Sequence, residues 1–274
     1  MIRYYKPTSP ARRFRTEPTE KLKTKPYLPL TIPKKRKSGR NNLGRITSRH
    51  RGGGHKRRIR IIDFKRDKWD VPGIVRTIEY DPNRKARISL VEYEDGEKRY
   101  ILHPLNLRVG RTVISSRGKI PLRVGNAMPL QHIPGGTFVH NVELLPGRGG
   151  KIARSAASYA VLMSKDDEYA ILKLPSGEIR KVSVNCLATI GRLDNIEHSS
   201  ESLGCAGASR HKGRRPKTRG TAMNAVDHPH GGGRGRSHGG NVPRSPTGIP
   251  AKGFKTRNPK KSSSKLIIMR RKKK

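Results

Sequence analysis

Residues 73–103, GIVRTIEYDPNRKARISLVEYEDGEKRYILH, decide the fold class of this chain of 274 residues. Short runs that contain β-branched and aromatic residues, at 73–80, 85–93 and 98–103, are separated by the turn sequences DPNR and EDGE. Such runs between clusters of turn residues are typical of antiparallel strands. The stretch therefore predicts a meander of β-hairpins.

Similar patterns continue on both sides of this stretch. Residues 58–64 alternate before it, and four runs follow it, at 138–145, 158–164, 169–174 and 179–184. A helical period of 3.6 is almost absent. We predict only a turn or two of helix between residues 194 and 202, which the glycines at 204 and 207 would end. Short, closely spaced strands predict a mainly β fold with two small antiparallel barrels.

Composition divides the chain into four predicted segments. A stretch rich in Gly, Pro and cations, residues 117–134, separates the two sets of strands. We predict a basic N-terminal extension at 1–40, a first barrel at 41–120, a second barrel at 121–200 and a basic, Gly-rich C-terminal extension at 201–274. The last ten residues, KLIIMRRKKK, fit a basic tail, a short β-like insertion into an RNA groove or a frayed terminus.

The formal net charge of +42 is concentrated at the two ends. Residues 1–60 contain 20 Lys and Arg against 2 acids, and residues 204–274 contain 20 against 1, whereas residues 61–203 contain 22 against 17. Ends of this kind repel themselves and have few large apolar side chains, so we predict that they stay extended until they bind a polyanion. No apolar run is long enough to cross a bilayer, and the N-terminus lacks the apolar stretch of a signal peptide, so we expect a soluble protein that is not secreted by that route.

The two cysteines, Cys186 and Cys205, are 19 residues apart and form no C-x-x-C pair. This usage fits a reducing compartment and argues against a disulfide framework and against a four-cysteine zinc site. We expect both to be small buried or half-buried side chains.

Two glycine-rich segments have the composition of loops that lie against RNA: RITSRHRGGGHKRR at residues 45–58 and PGRGGKIARSA at residues 146–156. Glycines let a backbone donate N–H groups to phosphates at close range, and cations beside them neutralise the phosphates. The second segment is not a P-loop, because Leu145 stands where that motif requires Gly and Ile152 where it requires Ser or Thr. The alternatives are a flexible basic linker for the first segment and a plain turn between strands for the second.

The segment DHPHGGGRGRSH, residues 227–238, has features of an enzyme site. His228 and His230 beside Asp227 could ligate zinc, or Asp227 could orient His228 as a general base. However, the segment has no apolar shell, and its cations disfavour the binding of a metal cation. Histidines on a loop of Pro and Gly can instead stack on bases and bond to phosphates and 2′-hydroxyls of RNA.

Three long stretches carry a resemblance to a known family. They are residues 44–60, the stretch AMPLQHIPGGTFVHNVELLPGRGGKIARSAASY at 127–159, and residues 214–257, which contain RRPKTRGTAMNAVDHPHGGGRGRSHGG and GIPAKGFKTR. They resemble the universal large-subunit ribosomal protein two family in its bacterial or organellar form. The similarity runs from about residue 40 to the C-terminus, with the motifs in the family's order.

This resemblance implies an oligonucleotide-binding-type barrel followed by an SH3-like barrel, with both extensions reaching into large-subunit rRNA. It also implies a place near the subunit interface with the small subunit, contacts to the peptidyl-transferase region, and support of subunit association and transfer RNA binding. One copy per ribosome and no homo-oligomer are expected, in the cytoplasm or in an organelle. The family's histidine loop near the catalytic RNA corresponds to His228 and His230, and its internal RNA-gripping loop to Gly147 to Arg154.

Four residues depart from the family's usual pattern. Relatives commonly have Pro in the place of Ala225, Trp in the place of His211 and Lys in the place of Cys205. Arg234 stands where they commonly have an acid, which reverses the charge of the histidine loop. A role of that acid, such as contact with magnesium, therefore does not carry over to this chain.

The residues predicted to bind rRNA are mostly cations and glycines of these segments: Arg45, Arg49, Arg51, Gly52, Gly53, Gly54, His55, Lys56, Arg57, Arg58, Arg148, Gly149, Gly150, Lys151, Arg154, Arg210, Arg214, Arg215, Arg219, His228, His230, Gly231, Gly232, Gly233, Arg234 and Arg236. No catalytic residue, metal ligand or cofactor is predicted.

Three functions compete at this point. The leading hypothesis is a structural rRNA-binding protein of the large ribosomal subunit, without catalysis of its own. A nonspecific nucleic-acid protein that compacts DNA is the second, and a metal-dependent hydrolase that uses Asp227, His228 and His230 is the third. Two barrels with shaped glycine loops favour the first over the second, because compaction requires only charge. The metal content of RNA-free protein tests the third.

Overall fold

A computed structural model describes residues 2–19, 22–36, 38–233 and 242–271. The described chain is mainly β, as the sequence predicts. The strands are β1 (Ile2–Tyr4), β2 (Thr16–Pro18), β3 (Thr31–Pro33), β4 (Arg58–Arg60), β5 (Gly73–Glu79), β6 (Ile88–Tyr93), β7 (Lys98–Leu102), β8 (Thr112–Val113), β9 (Ala127–Pro129), β10 (Phe138–His140), β11 (Ala160–Lys165), β12 (Tyr169–Lys173), β13 (Ile179–Ser183), β14 (Leu187–Ile190) and β15 (Ile267–Met269). The two α-helices are α1 (Pro10–Arg13) and α2 (Ala206–His211), and short 3₁₀ helices lie at Leu28–Leu30, Leu130–His132, Ile196–Ser200, Gly220–Ala222 and Ser262–Ser264. No helix in these described ranges has the length and apolar character needed to span a membrane.

The first β domain is built on a four-stranded antiparallel sheet in the order β7-β6-β5-β8. Its central strand β6 is apolar on both faces, because Ile88 and Leu90 point to one side and Val91 and Tyr93 to the other. Each side packs into its own buried cluster. Ile88 and Leu90 pack in one cluster with Ile62, Ala86, Tyr100, Leu102 and Leu193. Val91 and Tyr93 pack in the other with Val75, Ile101, Leu107 and Val113.

The second β domain is a seven-stranded antiparallel sheet in the order β15-β13-β12-β11-β10-β14-β9. Fourteen buried residues form its core: Met128, Leu130, Ile133, Val139, Val142, Ala160, Leu162, Ala170, Leu172, Val182, Val184, Cys186, Ala188 and Ile190. The C-terminal strand β15 pairs with β13, with Ile179 opposite Met269 and Arg180 opposite Ile267. This strand covers an edge that would otherwise present unpaired backbone groups.

Buried polar contacts join the two β domains. Nη1 of Arg87, in the first domain, donates to Oδ2 of Asp194 at 2.7 Å, and Nε2 of His103 lies 3.7 Å from the same oxygen. The other ring nitrogen of His103 is hydrogen-bonded to Oγ of Ser89 at 2.7 Å. Burial lowers the pKa of His103 to about 4, so the ring is neutral. Ser89 is 0% exposed, so this Ser-His-Asp arrangement fixes two domains together and offers no nucleophile to a substrate.

The described chain forms two compact units. The first contains residues 1–35, 56–206 and 265–274, and so includes both β domains. The second contains residues 36–55 and 207–264. Every buried apolar residue in the described ranges belongs to the first unit, and the second unit's described part buries only His228. The second unit therefore has no hydrophobic core among its described residues.

Most predicted strands are confirmed to within one to three residues at their ends. The run predicted at 73–80 is β5, the run at 98–103 is β7, and the runs at 169–174 and 179–184 are β12 and β13. The turn of helix predicted near residue 196 is the 3₁₀ helix at Ile196–Ser200. The predicted ranges of the four segments, 1–40, 41–120, 121–200 and 201–274, stay a prediction.

Other local predictions were wrong. The strand predicted at 138–145 ends at His140, because Asn141 has φ +50° and leaves the extended conformation. The strand predicted at 58–64 ends at Arg60, after which Ile62 makes only an isolated bridge. Gly207 lies inside α2 and does not end a helix. The C-terminal apolar run is a strand, but it pairs with the protein's own sheet.

The two cysteines are free thiols. Cys186 is fully buried in the core of the second β domain, as expected, but Cys205 is exposed. Burial, with the charge of Glu143 nearby, raises the pKa of Cys186 to about 12.

Candidate nucleic-acid interface

Two distant stretches of the second unit, residues 50–55 and 211–216, lie side by side as an irregular antiparallel ribbon. Three backbone hydrogen bonds join them: Gly52 N–H to Gly213 O (3.2 Å), His55 N–H to His211 O (2.9 Å) and Arg215 N–H to His50 O (3.2 Å). An isolated bridge between Arg51 and Arg214 continues the pairing. The sequence predicts both stretches as RNA-binding, and the structure brings them together.

Glycines make this pairing possible. A Cβ atom on Gly54 would lie 2.9 Å from Cα of Gly213, which is closer than real Cβ atoms approach backbone. Gly54 therefore packs against its own chain and is needed for that contact. Gly53 differs, because it has φ +67° and no heavy atom within 4 Å of its position for a Cβ. Of these two glycines, Gly53 is the one that a ligand's backbone can approach.

The ribbon and its surroundings present cations without matching acids. The second unit contains 20 Lys and Arg in its sequence ranges, and Asp227 is its one acid. The predicted arginines of this unit that the structure describes are all exposed: Arg45, Arg49, Arg51, Arg210, Arg214, Arg215 and Arg219. Apolar side chains are exposed here too, with Val226 at 96% and Leu43 at 72%. Such a unit needs an external polyanion to neutralise it.

Three predicted cations that follow the ribbon, Lys56, Arg57 and Arg58, belong to the first unit. The Arg57 guanidinium donates to Pro82 O at 3.0 Å, and Nε of Arg58 donates to Oγ1 of Thr31 at 2.8 Å. Both guanidiniums therefore hold parts of the protein together.

The loop at residues 146–152 is fixed by one buried carboxylate. Glu143 is 1% exposed, and its Oε1 accepts the N–H of Gly149 at 2.7 Å. Its Oε2 accepts the N–H groups of Gly147 and Leu187, both at 3.1 Å. Charge-assisted bonds of this kind are about twice as strong as neutral ones. The loop is thus rigid at its glycines, while Arg148 and Lys151 between and after them are exposed.

Gly150 is the tightest position of this loop. A Cβ atom there would lie 2.2 Å from the backbone O of Asn141 and 2.2 Å from its Oδ1. The N–H of Gly150 donates to Phe64 O at 2.9 Å. The glycine therefore lets the loop pack closely on Asn141 of its own domain, and its N–H joins the loop to the first domain.

A groove of about 680 Å³ runs beside this loop. Its lining includes Arg148, Gly149 and Lys151 from the loop and Ile61, Phe64 and Lys65 from the first β domain, together with the acids Asp63, Asp67 and Glu97. Nη1 of Arg154 donates to Gly150 O at 3.1 Å, and its guanidinium lies 4.4 Å from the centre of the Phe64 ring. A guanidinium stacked on a ring is a surface on which RNA bases can stack.

The histidine loop is held by its own ring nitrogens. Nδ1 of His228 accepts the N–H of His230 at 3.0 Å, and Nε2 of His230 accepts the N–H of Arg244 at 2.8 Å. The two ring centres are 5.2 Å apart. A Cβ on Gly220 would lie 2.4 Å from Cε1 of His228, so the buried ring lies flat against that glycine.

These bonds decide what the two histidines can do chemically. A nitrogen that accepts an N–H is unprotonated, so the other nitrogen of each neutral ring, Nε2 of His228 and Nδ1 of His230, carries the proton. A metal needs a free lone pair, and both lone pairs are in use. The free nitrogens are donors, which suits phosphate or 2′-hydroxyl oxygens. In the described residues no group of three or more His, Cys, Asp or Glu could hold a metal.

The other residues of the histidine loop that were predicted to bind rRNA differ in their surroundings. Gly231 packs against the backbone, since a Cβ there would lie 2.2 Å from Asn224 O, while Gly232 and Gly233 are exposed. Arg234 and Arg236 lie outside the described residues.

Sequence reasoning missed three residues beside the loop: Phe64, Lys65 and Glu143. The first two belong to the run FKRDKW, residues 64–69, in which aromatic residues and cations are interleaved. That pattern is a signal for single-stranded nucleic acid binding and could have identified them. Glu143 had no such signal, because its role depends on backbone groups that the fold brings to it.

Comparison with known proteins agrees with these features. Residues 28–115 match the family described as Ribosomal Proteins L2, RNA binding N-terminal domain, and residues 123–248 match Ribosomal Proteins L2, C-terminal domain. The two matched ranges include the four-stranded sheet of the first β domain and six of the seven strands of the second, and together they cover most of the chain. The observed sheets are consistent with the oligonucleotide-binding-type and SH3-like folds of those domains. The chain therefore belongs to the Ribosomal Proteins L2 family, whose members are proteins of the large ribosomal subunit with an RNA-binding N-terminal domain.

Proposed function

We propose that this chain is a structural constituent of the large ribosomal subunit that binds large-subunit rRNA and has no catalysis of its own. In this proposal it supports subunit association, transfer RNA binding and the organisation of the peptidyl-transferase region. Its partners are large-subunit rRNA and, across the intersubunit face, the small subunit. One copy acts in each ribosome, in the cytoplasm or in an organelle.

The second unit carries this proposal. It combines 20 cations with one acid and has no hydrophobic core among its described residues. A protein that merely tolerated nucleic acid would keep its own core, whereas this unit has no apolar core among its described residues to offset the repulsion between its cations, and a bound polyanion would supply that compensation. RNA binding of this kind is largely a matter of phosphate neutralisation, with shaped loops that fix the position.

The two rigid loops fix the position of the protein on the RNA. The loop anchored by Glu143 presents Arg148 and Lys151 beside a groove that is also lined by the Phe64 ring. Cations beside an aromatic ring suit an RNA backbone with an unstacked base. The histidine loop presents ring N–H donors, which suit phosphate or ribose oxygens. We propose that the predicted rRNA-binding residues, including Arg234 and Arg236, act in these two regions and along the ribbon.

Sedimentation tests the proposal directly. A lysate is run on a sucrose gradient at about 0.5 M salt, which strips loosely bound proteins because electrostatic affinity falls steeply with salt. We expect the chain to travel with the large subunit. Its recovery in the soluble fractions, or on DNA, would refute the proposal.

Substitution of the histidines separates this proposal from the hydrolase hypothesis. RNA-free protein is expected to contain no stoichiometric zinc and to show no hydrolytic turnover. His228→Ala and His230→Ala should impair a late step, such as subunit joining or peptide transfer, more than initial rRNA binding, because the cations that supply affinity remain. His132→Ala, at the half-buried end of the 3₁₀ helix Leu130–His132 in the second β domain, is the control. Tight zinc binding that is lost in His230→Ala would favour the hydrolase instead.

A further inference from the structure

Three arginines surround one tyrosine ring in the N-terminal hairpin. The Cζ atoms of Arg3, Arg12 and Arg15 lie 5.2, 5.3 and 5.3 Å from the centre of the Tyr5 ring. A guanidinium within about 6 Å of an aromatic centre is attracted by the ring's negative face. The ring therefore gathers three positive charges around one point.

This hairpin is fixed to the rest of the first unit. Oγ1 of Thr16 in β2 donates to Ser200 O at 3.1 Å, and the N–H of Thr16 donates to Ser202 O at 3.0 Å. A Cβ atom on Gly204 would lie 2.3 Å from Ala11 O, so α1 packs directly against the backbone there. The arginines thus extend from a firm support and are partly ordered before any ligand arrives.

One carboxylate only partly neutralises the cluster. Glu17 accepts the Tyr5 hydroxyl on one oxygen and the Arg15 guanidinium on the other. Both bonds lower the pKa of Glu17, so it stays negatively charged at neutral pH. Arg3 and Arg12 are exposed and make no salt bridge within the described ranges. Two positive charges are therefore held close together in excess.

We propose that Arg3, Arg12 and Arg15, organised by Tyr5, form a further binding site for the phosphate backbone of rRNA. Like charges gathered in one place repel each other, and an anion relieves that repulsion. Guanidiniums bind phosphate oxygens through two parallel N–H groups, and arginines that are already oriented lose less freedom on binding. The inference rests on the proposed rRNA-binding function.

The site lies outside both ranges that match the family, residues 28–115 and 123–248. Residues 1–40 are predicted only as a basic extension that reaches into rRNA, and no individual residue among them is predicted to bind it. A phosphate site here adds a fixed contact to a part of the chain that was predicted to act through its charge alone.

Neighbouring residues supply matched controls. Arg12→Gln and Arg13→Gln remove the same charge from adjacent positions of α1, but only Arg12 lies over the ring. We expect Arg12→Gln to weaken the binding of the full chain to purified large-subunit rRNA about 5- to 10-fold at about 0.1 M KCl, and to lower the slope of log K against log salt by about 1. Arg13→Gln should change the affinity by less than about 2-fold.

The ring is tested in the same way. Tyr5→Leu should weaken rRNA binding about 10-fold because the arginines disperse, while Tyr5→Phe should keep the affinity because the ring remains. Tyr4→Leu, at the exposed neighbouring position, should have no effect. Thermal melting of each variant checks that the fold is retained.

Equal losses in Arg12→Gln and Arg13→Gln would overturn the proposal, since net charge alone would then explain them. A lower melting temperature of Tyr5→Leu with unchanged rRNA affinity would also overturn it, because the ring would then act only in stability. If the unsubstituted chain itself does not bind rRNA, the proposed function fails, and this inference fails with it.

Discussion

Replacement of Glu143 by Gln changes one atom in the support of the loop at residues 146–152. The carboxylate accepts three backbone N–H groups, from Gly147, Gly149 and Leu187. Glutamine has nearly the same shape, so it fits the buried space, but it offers one oxygen where the carboxylate offers two. The substitution therefore tests hydrogen bonding and charge without creating a cavity.

The geometry sets the size of the effect. If the glutamine oxygen takes the place of Oε2, it still serves Gly147 and Leu187, and the amide nitrogen then faces the N–H of Gly149. That N–H is left buried without an acceptor, at a cost of about 1–3 kcal/mol, and the two surviving bonds lose the assistance of the charge. We expect Glu143→Gln to lower the free energy of unfolding by about 2–4 kcal/mol.

Urea unfolding, followed by the fluorescence of the single tryptophan Trp69, measures this loss. Glu94→Gln, at an exposed turn position between β6 and β7, removes the same charge and should change the stability by less than about 0.5 kcal/mol. The affinity of Glu143→Gln for rRNA should fall more than that of Glu94→Gln, because Arg148 and Lys151 lose their fixed positions. Equal stability of the two variants would refute the anchoring role of Glu143.

Two more predictions follow from burial and charge. Burial lowers the pKa of both His103 and His140 to about 4, against about 6.5 in an unfolded chain, so the native state binds fewer protons between these values. The two histidines therefore make their full contribution to the free energy of unfolding above about pH 6.5. This contribution is lost as the pH falls towards 4, by about 2–3 kcal/mol for each histidine. Urea unfolding between pH 7 and pH 4 measures the loss. In amide hydrogen exchange, the ribbon at residues 50–55 and 211–216 should be protected only when rRNA is present, while β5, β6 and the core of the second β domain should be protected in free protein. Strong protection of the ribbon without RNA would contradict a polyanion-dependent second unit.

The parts of the fold that sequence predicts well are those with local partners. β6 and β7 are joined by a four-residue turn, and each is long enough to stand out as a run of β-forming residues. β9 and β14 have three and four residues, and they pair across nearly sixty residues, with Leu187 opposite Pro129. A run that short has no measurable period, and its pairing depends on a partner that the local sequence does not reveal. The same reason explains why the sequence did not predict the pairing of β15 with β13.

The candidate site, like the fold, has features that the local sequence predicts and features that depend on distant residues. Clusters of Gly with Arg and Lys are visible in the sequence, so the loops at Gly147 to Arg154 and around His228 could be predicted as RNA-facing. Sequence did not reveal that Glu143 holds one loop or that Tyr5 gathers three arginines, because both depend on folding. Nor did it separate Gly54, which packs on its own chain, from Gly53, which is open.

The pairing of residues 50–55 with residues 211–216 also bears on the order in which the protein is made. The first stretch leaves the translating ribosome about 160 residues before its partner is complete, which at typical rates of synthesis is roughly 8 to 30 s. During that interval the first β domain can fold, but the basic stretch has no second strand. It is then a cationic peptide in a cell rich in RNA. Proteins that bind and shield the cations of a nascent chain, or immediate binding to precursor rRNA, would protect this stretch before the second unit exists.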